Sequence, residues 1–225
     1  MAKGNVLKFL LWLLSTPQIA FSLLAEFIST KSFSSDLQRC VDISRQYGES
    51  VPSYFVEALI IAEDHRSTKH PGIDPIAIFR AIWVRFYRGE IQGASTIEQQ
   101  FVRVVTNRYE KTIARKIREQ ILALMIVRRI NKREIASAYL SIAFYGSSSI
   151  GKSGLVAKFG EDLSIVPFEH ALRMVAQLKY PQPLIPSSAW HDKLESRCML
   201  LLSRVALNDK KTSYASEVAE DVRKG

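Results

Sequence analysis

The chain has 225 residues, 47% of them hydrophobic and 24% charged, which excludes a globally disordered protein and allows a full core without crosslinks. Two cysteines, Cys40 and Cys198, exclude a disulfide-stapled module and a cysteine-rich metal site. The net charge of +9 admits nucleic acid, anionic lipid or phosphorylated ligands as partners and does not choose among them. The length suits one large domain, or one domain with an appendage.

The first element is apolar. Val6 to Ile28 reads VLKFLLWLLSTPQIAFSLLAEFI, interrupted by Lys8, Pro17, Gln18 and Glu26. It is long enough to cross about 30 Å of hydrocarbon. Lys3 and Lys8 precede most of it, which favours an inside N-terminus and an outside body. A membrane anchor over residues 1–30 is the leading expectation. The alternatives are a helix lying in the interface, a cleaved signal peptide that lacks a clean A-x-A site, and a buried helix of a soluble protein.

The body reads as helices. Phe55, Val56, Leu59, Ile60 and Ala62 repeat at helical spacing up to Glu63. Asp74 and Pro75 form a cap followed by a first-turn proline, after which Ile76, Phe79, Ile82, Trp83 and Phe86 make an apolar face that Gly89 ends. Ser95-Thr96-Ile97-Glu98 matches a capping box. Thr112 caps the next helix, whose packed face is Ile113, Ile117, Ile121 and Leu124. Asn131 and Glu134 open another, with Ile135, Ala138, Tyr139 and Ile142 on one face. Glycines 146, 151 and 154 break the pattern, and further helices fit 152–159, 167–178 and 189–207. Pro181, Pro183 and Pro186 make the segment between the last two irregular. No convincing alternating run, repeat or phosphate-binding glycine loop occurs. The expected fold is mainly α, with a helical domain over 31–207 and a polar, fraying tail over 208–225.

Two acids stand out. Glu63 shares the apolar face of its helix through Val56 and Ile60, and a partly desolvated acid suits proton transfer. Asp64, His65, Arg66 and His70 crowd the same turn and the loop after it. The plainer reading of Glu63 is a helix-terminal acid paired with Arg66 or Lys69. Glu119 borders the core, with Arg115 and Lys116 one turn before it, and its plainer reading is an i,i+4 pair worth about 0.2–0.5 kcal/mol. Two carboxylates among many arginines and lysines suit sugar transfer. One takes a hydroxyl proton, the other assists departure, and the cations hold a phosphorylated leaving group. The segment GASTIEQQ, Gly93 to Gln100, reads as a tight turn into a capped helix whose two amides are offered to a polar ligand or to nearby backbone, the plainer reading being capping with solvent-facing amides.

These segments together resemble the peptidoglycan glycosyltransferase family, membrane-bound polymerases of lipid-linked disaccharide with a lysozyme-like helical fold. The motifs are EDHRSTKHPGID from Glu63 to Asp74 and on to Arg80, GASTIEQQ, RKIRE from Arg115 to Glu119, and KREIASAYL from Lys132 to Leu140. Their order and spacing agree over about residues 50 to 205. The resemblance implies that Glu63 is the catalytic base toward the acceptor's 4-hydroxyl. It implies that Glu119 assists the pyrophosphate leaving group, directly or as ligand to a divalent cation, Mg2+ or Mn2+. His70, Arg80, Ser95, Thr96, Gln99, Gln100, Arg103, Arg115, Lys116 and Lys132 are the implied substrate-binding residues, Arg103 standing where lysine is usual. The chain departs from the family pattern at Ser67 and Thr68, at Glu98 in place of threonine, and at Val104, Val127 and Ser141.

The implied partners are a lipid-linked disaccharide donor and acceptor, the membrane and other cell-wall synthesis proteins, with no nucleic acid. The implied location is the bacterial inner membrane, with the catalytic domain on the outer, periplasmic side, and the implied role is glycan polymerisation for cell-wall synthesis and cell shape. The segment after residue 207 is too short for a transpeptidase module, so the expectation is the monofunctional form. Two other readings of the same pattern are a catalytically weak membrane scaffold that binds lipid-linked glycan and a lysozyme-like hydrolase that cleaves glycan chains.

Overall fold

A computed structural model of the chain describes the backbone of residues 2–27 and 31–224 and the side chains of 4–26 and 31–207. Eleven helices run in order among them: α1 (Ala2–Leu14), α2 (Thr16–Phe27), α3 (Lys31–Tyr47), α4 (Ser53–Glu63), α5 (Pro75–Arg88), α6 (Ile97–Thr106), α7 (Ile113–Ile126), α8 (Lys132–Ile142), α9 (Gly151–Phe159), α10 (Phe168–Ala176) and α11 (Ser188–Lys224). A small antiparallel pair, β1 (Phe144–Gly146) and β2 (Ser149–Ile150), lies between α8 and α9. The mainly helical fold agrees with the expected class.

The core sits around α8, whose residues 135–141 are all buried. α3 and α6 pack against it, α7 against α6, and α10 against α4. Small residues let these helices approach closely: Ala58, Ala123, Ala138, Ala171 and Ala176 have no exposed surface, and Phe55, Phe101 and Tyr145 fill the gaps. The Tyr145 hydroxyl, fully buried, donates to the Leu140 carbonyl at 2.8 Å, so its polar end is satisfied. α3 is fastened to α7 from outside by Arg118, which donates to Asp36 at 2.7 Å.

The expected helix starts at Asp74, Thr112 and Asn131 are all present, each side chain accepting a hydrogen bond from a first-turn amide. Other details differ. The capping box before α6 is shifted by one residue: Thr96, not Ser95, is the cap, and Gln99, not Glu98, answers it. The expected packed face of α7 holds for Ile121 and Leu124, whereas Ile113 is 80% exposed and Ile117 46%. The first turns of α7 overhang the core, so spacing alone misplaces them. α11 continues through the expected polar tail to Lys224.

α5 is amphipathic as expected, yet Phe79, Ile82, Trp83, Phe86 and Tyr87 are 52–84% exposed. At the N-terminus, no single described helix is long and apolar enough to cross a membrane. Gly4–Leu14 and Thr16–Glu26 pass that test together, with a 49° bend between them. α2 lies along α7, where Arg128 donates to Ser22 at 2.8 Å and reaches Glu26. Residue 28 of the expected membrane segment, and the expected boundary at residue 30, lie outside the described residues, as does residue 225 of the expected tail.

Candidate active site

Glu63 is the last residue of α4 and is half-buried. One carboxylate oxygen accepts from Arg197 at 3.0 Å, the other from the Gln100 amide at 3.2 Å. Gln100 is in turn oriented by the Tyr139 hydroxyl, which donates to its Oε1 at 2.8 Å. Burial, and then the Glu63 charge, push the Tyr139 phenol well above its usual range, so it stays protonated and keeps donating. Arg197 also donates to the Ala62 carbonyl at 2.7 Å, which ties α11 to the end of α4.

Arg197 is a partner of Glu63 that the sequence reading missed. It is 134 residues from Glu63, and no motif contains it. One signal exists: it follows Leu194 at helical spacing and precedes Cys198 and Leu201, so an arginine shares a buried apolar face.

Glu119 is 3% exposed on α7. Three cations converge on it: Arg103 from α6 at 3.0 Å, Lys116 at 2.7 Å, and Arg115 one turn back. Burial alone would raise its carboxyl. The Arg103 hydrogen bond and the Lys116 and Arg103 charges outweigh that and hold it below the usual carboxylate value. Burial pulls the Lys116 ammonium below its usual value, and Glu119 offsets only part of this. One anion among three cations leaves a local excess of positive charge, which suits an anionic ligand.

Ser95 joins the two acids. Its hydroxyl accepts from Lys116 at 2.8 Å and from Arg103 at 3.3 Å, and it lines a cavity with Glu63, Arg66 and Arg80. The cavity is narrow, about 40 Å³. Arg80 stands exposed on its rim.

Other expected substrate contacts turn inward. Thr96 and Gln99 are 2% and 0% exposed, and their side chains cap α6. The Thr96 hydroxyl also donates to the Gly72 carbonyl at 2.7 Å. Gly72 has φ 120°, and a Cβ there would stand 3.0 Å from the Ala123 carbonyl oxygen, so only glycine lets this loop close onto α7. His70 is 2% exposed, with Nε2 3.0 Å from both oxygens of Asp64. Lys132 pairs with Glu98 at 2.9 Å.

The donor set at Glu119 does not suit the expected divalent cation, since both oxygens already accept from three cationic side chains. Among the described residues, one group of three fits an ion better by position: ligand atoms of Asp64, His70 and Glu98 lie within 4.8 Å of one another.

Comparison with known proteins places this arrangement. The family model described as transglycosylase matches residues 36–206, so the likeness extends upstream to the buried Asp36 that braces α3 on α7. Penicillin-binding protein 1A of Haemophilus influenzae is 35% identical over 177 residues, covering 76% of this chain and 20% of that protein. Penicillin-binding protein 1A of Escherichia coli is 33% identical over 176 residues, covering 73% and 20%. Penicillin-binding protein 1B of Vibrio cholerae is 31% identical over 159 residues, covering 68% and 20%. The chain thus spans about a fifth of the length of the curated relatives it matches. With the family model covering α4 through α8 and both glutamates on that stretch, the chain belongs to the transglycosylase family.

Proposed function

We propose that the chain is an inverting glycosyltransferase that polymerises a lipid-linked disaccharide into glycan strands and releases polyprenyl pyrophosphate, as a peptidoglycan synthesis enzyme. The observation that carries this is the asymmetry of the two glutamates across Ser95. One is oriented as a hydrogen-bond acceptor beside a cavity, and the other is sunk in a cluster of net positive charge.

In this reading Glu63 takes the proton of the acceptor's 4-hydroxyl as that oxygen attacks the donor's anomeric carbon. Arg197 and Gln100 each hold one oxygen of this carboxylate, which lines the cavity. The bond to the pyrophosphate oxygen breaks on the opposite face, so configuration inverts. Arg103, Arg115 and Lys116 stabilise the charge that grows on the leaving phosphate, and Glu119 holds the three in place. No step is routed through a metal ion.

The cavity beside Glu63, about 40 Å³, has room for little more than a water. Its wall includes the irregular residues Gly93, Ala94, Ser95 and Thr96, and Gly93 has open space around it. The exposed apolar faces of α1, α2 and α5 support a location at a membrane. In this reading it is the inner membrane with the 31–207 domain on its outer side, in reach of lipid-linked substrate and of other cell-wall synthesis proteins.

The test is chain extension by purified full-length protein on lipid-linked disaccharide. Polymer from the wild type and none from Glu63→Gln supports the reading. Absence of polymer from a folded wild type overturns it. The departures from the family pattern at Ser67, Thr68, Glu98, Val104, Val127 and Ser141 favour one second reading, a catalytically weak scaffold, for which binding of the lipid-linked sugar without turnover would be the signature.

A further inference from the structure

Glu98, the acid that replaces the family's usual threonine, does not face the cleft. It is 1% exposed, and its Oε2 has no hydrogen-bond partner. A buried carboxylate oxygen without a donor is costly. Its other oxygen, Oε1, is 2.9 Å from the Lys132 ammonium.

That ammonium sits at a meeting point of donors. The Ser67 carbonyl is 2.6 Å from Lys132 Nζ, and His70 Nδ1 is 3.3 Å from it. The Gly72 amide also donates to Nδ1 at 3.2 Å, which requires a lone pair there and places the ring proton on Nε2, facing Asp64. An imidazole nitrogen, a carboxylate and a carbonyl therefore converge on one point, and a second carboxylate holds the imidazole from behind; a metal there would take over the Nδ1 lone pair that the Gly72 amide and Lys132 now share. Metal sites orient a ligating histidine in this way. Here a flexible lysine fills the metal's position.

We propose that His70, Glu98 and the Ser67 carbonyl bind one first-row divalent transition metal ion, with Asp64 as the orienting carboxylate and Lys132 as a built-in competitor that leaves when the metal enters. The mixed nitrogen and oxygen donors favour Zn2+ or Mn2+ over Mg2+, which prefers an octahedron of oxygens and keeps its waters. A route exists. His70 and Lys132 line a cavity of about 260 Å³ together with Lys8, Trp12, Thr68 and Arg128, so the ion has an entry and the lysine a place to go. The unpartnered Oε2 of Glu98 is free to join the coordination. The site shares no residue with the cations around Glu119, and its occupancy does not depend on any glycan substrate.

The experiment uses the full chain in detergent, stripped with chelator and titrated calorimetrically with ZnCl2, MnCl2 and MgCl2. One saturable Zn2+ site is expected, with weaker Mn2+ binding and no saturable Mg2+ binding. Glu98→Gln should weaken Zn2+ by at least about tenfold, and Lys132→Met should tighten it by about tenfold, in the range for changes around a metal ligand. Circular dichroism checks that Glu98→Gln keeps its helices; if it does not, Lys132→Met decides alone. Equal Zn2+ affinity in Glu98→Gln and wild type would overturn the proposal. So would the absence of Zn2+ and Mn2+ binding in both wild type and Lys132→Met, or a Lys132→Met affinity no tighter than that of wild type.

Discussion

The two glutamates of the cleft are held in opposite ways. Glu63 is half-buried at a helix end, with one arginine and one amide as partners, while Glu119 is buried in mid-helix under three cations. A carboxylate that must exchange a proton needs an open lone pair and a fixed direction. One that must hold positive charge in place for a phosphate needs neither. The difference separates two roles that the residue type alone does not.

The sharpest way to break this comparison is Glu63→Gln, which keeps shape and loses basicity. Chain extension should fall at least about 10²-fold with circular dichroism unchanged. A variant that extends glycan at the wild-type rate would remove the distinction between the two acids. Glu119→Gln tests the other side through stability. It leaves three cations without their anion and should cost about 2–3 kcal/mol in denaturant unfolding, at the low end for a broken buried pair because Arg103 and Lys116 keep some water. The sign of its pH dependence follows from the lowered carboxyl. The stabilisation is present above the ordinary value of 4.5 and is lost as pH falls through the depressed one. The gap between wild type and Glu119→Gln should therefore be full at pH 7 and narrow below about pH 4.

Arg197→Met sharpens the account of Glu63. Losing the partner of a carboxylate that must be aimed should lower turnover by about tenfold, within the range for a misdirected group, and Arg197→Lys should restore part of it. Equal turnover in all three proteins would make Arg197 a strut for the Ala62 carbonyl and nothing more. The smallest effect belongs to Thr96→Ala, which removes the α6 cap and the bond to Gly72. A loss of about 1–2 kcal/mol in stability is expected, with donor affinity unchanged.

Local chemistry was legible in the sequence. Asp74 with Pro75, Thr112 and Asn131 announce helix starts because a cap acts on amides two or three residues away. The same logic stalls at Ser95-Thr96-Ile97-Glu98-Gln99, where either hydroxyl can cap and either acid or amide can answer. Only packing breaks the tie: Thr96 is drawn inward by Gly72, which leaves Ser95 to Lys116 and Arg103. Glu119 was readable beside Arg115 and Lys116, since one helical turn brings them together. Its third partner, Arg103, comes from another helix, and Arg197 reaches Glu63 across most of the chain. Such contacts are set by tertiary packing, on which spacing is silent. α5 shows the same boundary, because periodicity identifies an apolar face and says nothing of what covers it.

That face has a consequence for how the protein is handled. Burying a side chain of the size of Phe79, Ile82, Trp83 or Phe86 is worth about 1.5–3 kcal/mol each, so together they rival the net stability of a whole domain. The fold draws almost none of it. In plain aqueous buffer this helix, together with the exposed apolar faces of α1 and α2 and not any weakness of the core, would set the concentration at which chains begin to cluster. Replacing its aromatics with polar residues should raise colloidal solubility while leaving the melting temperature nearly where it was.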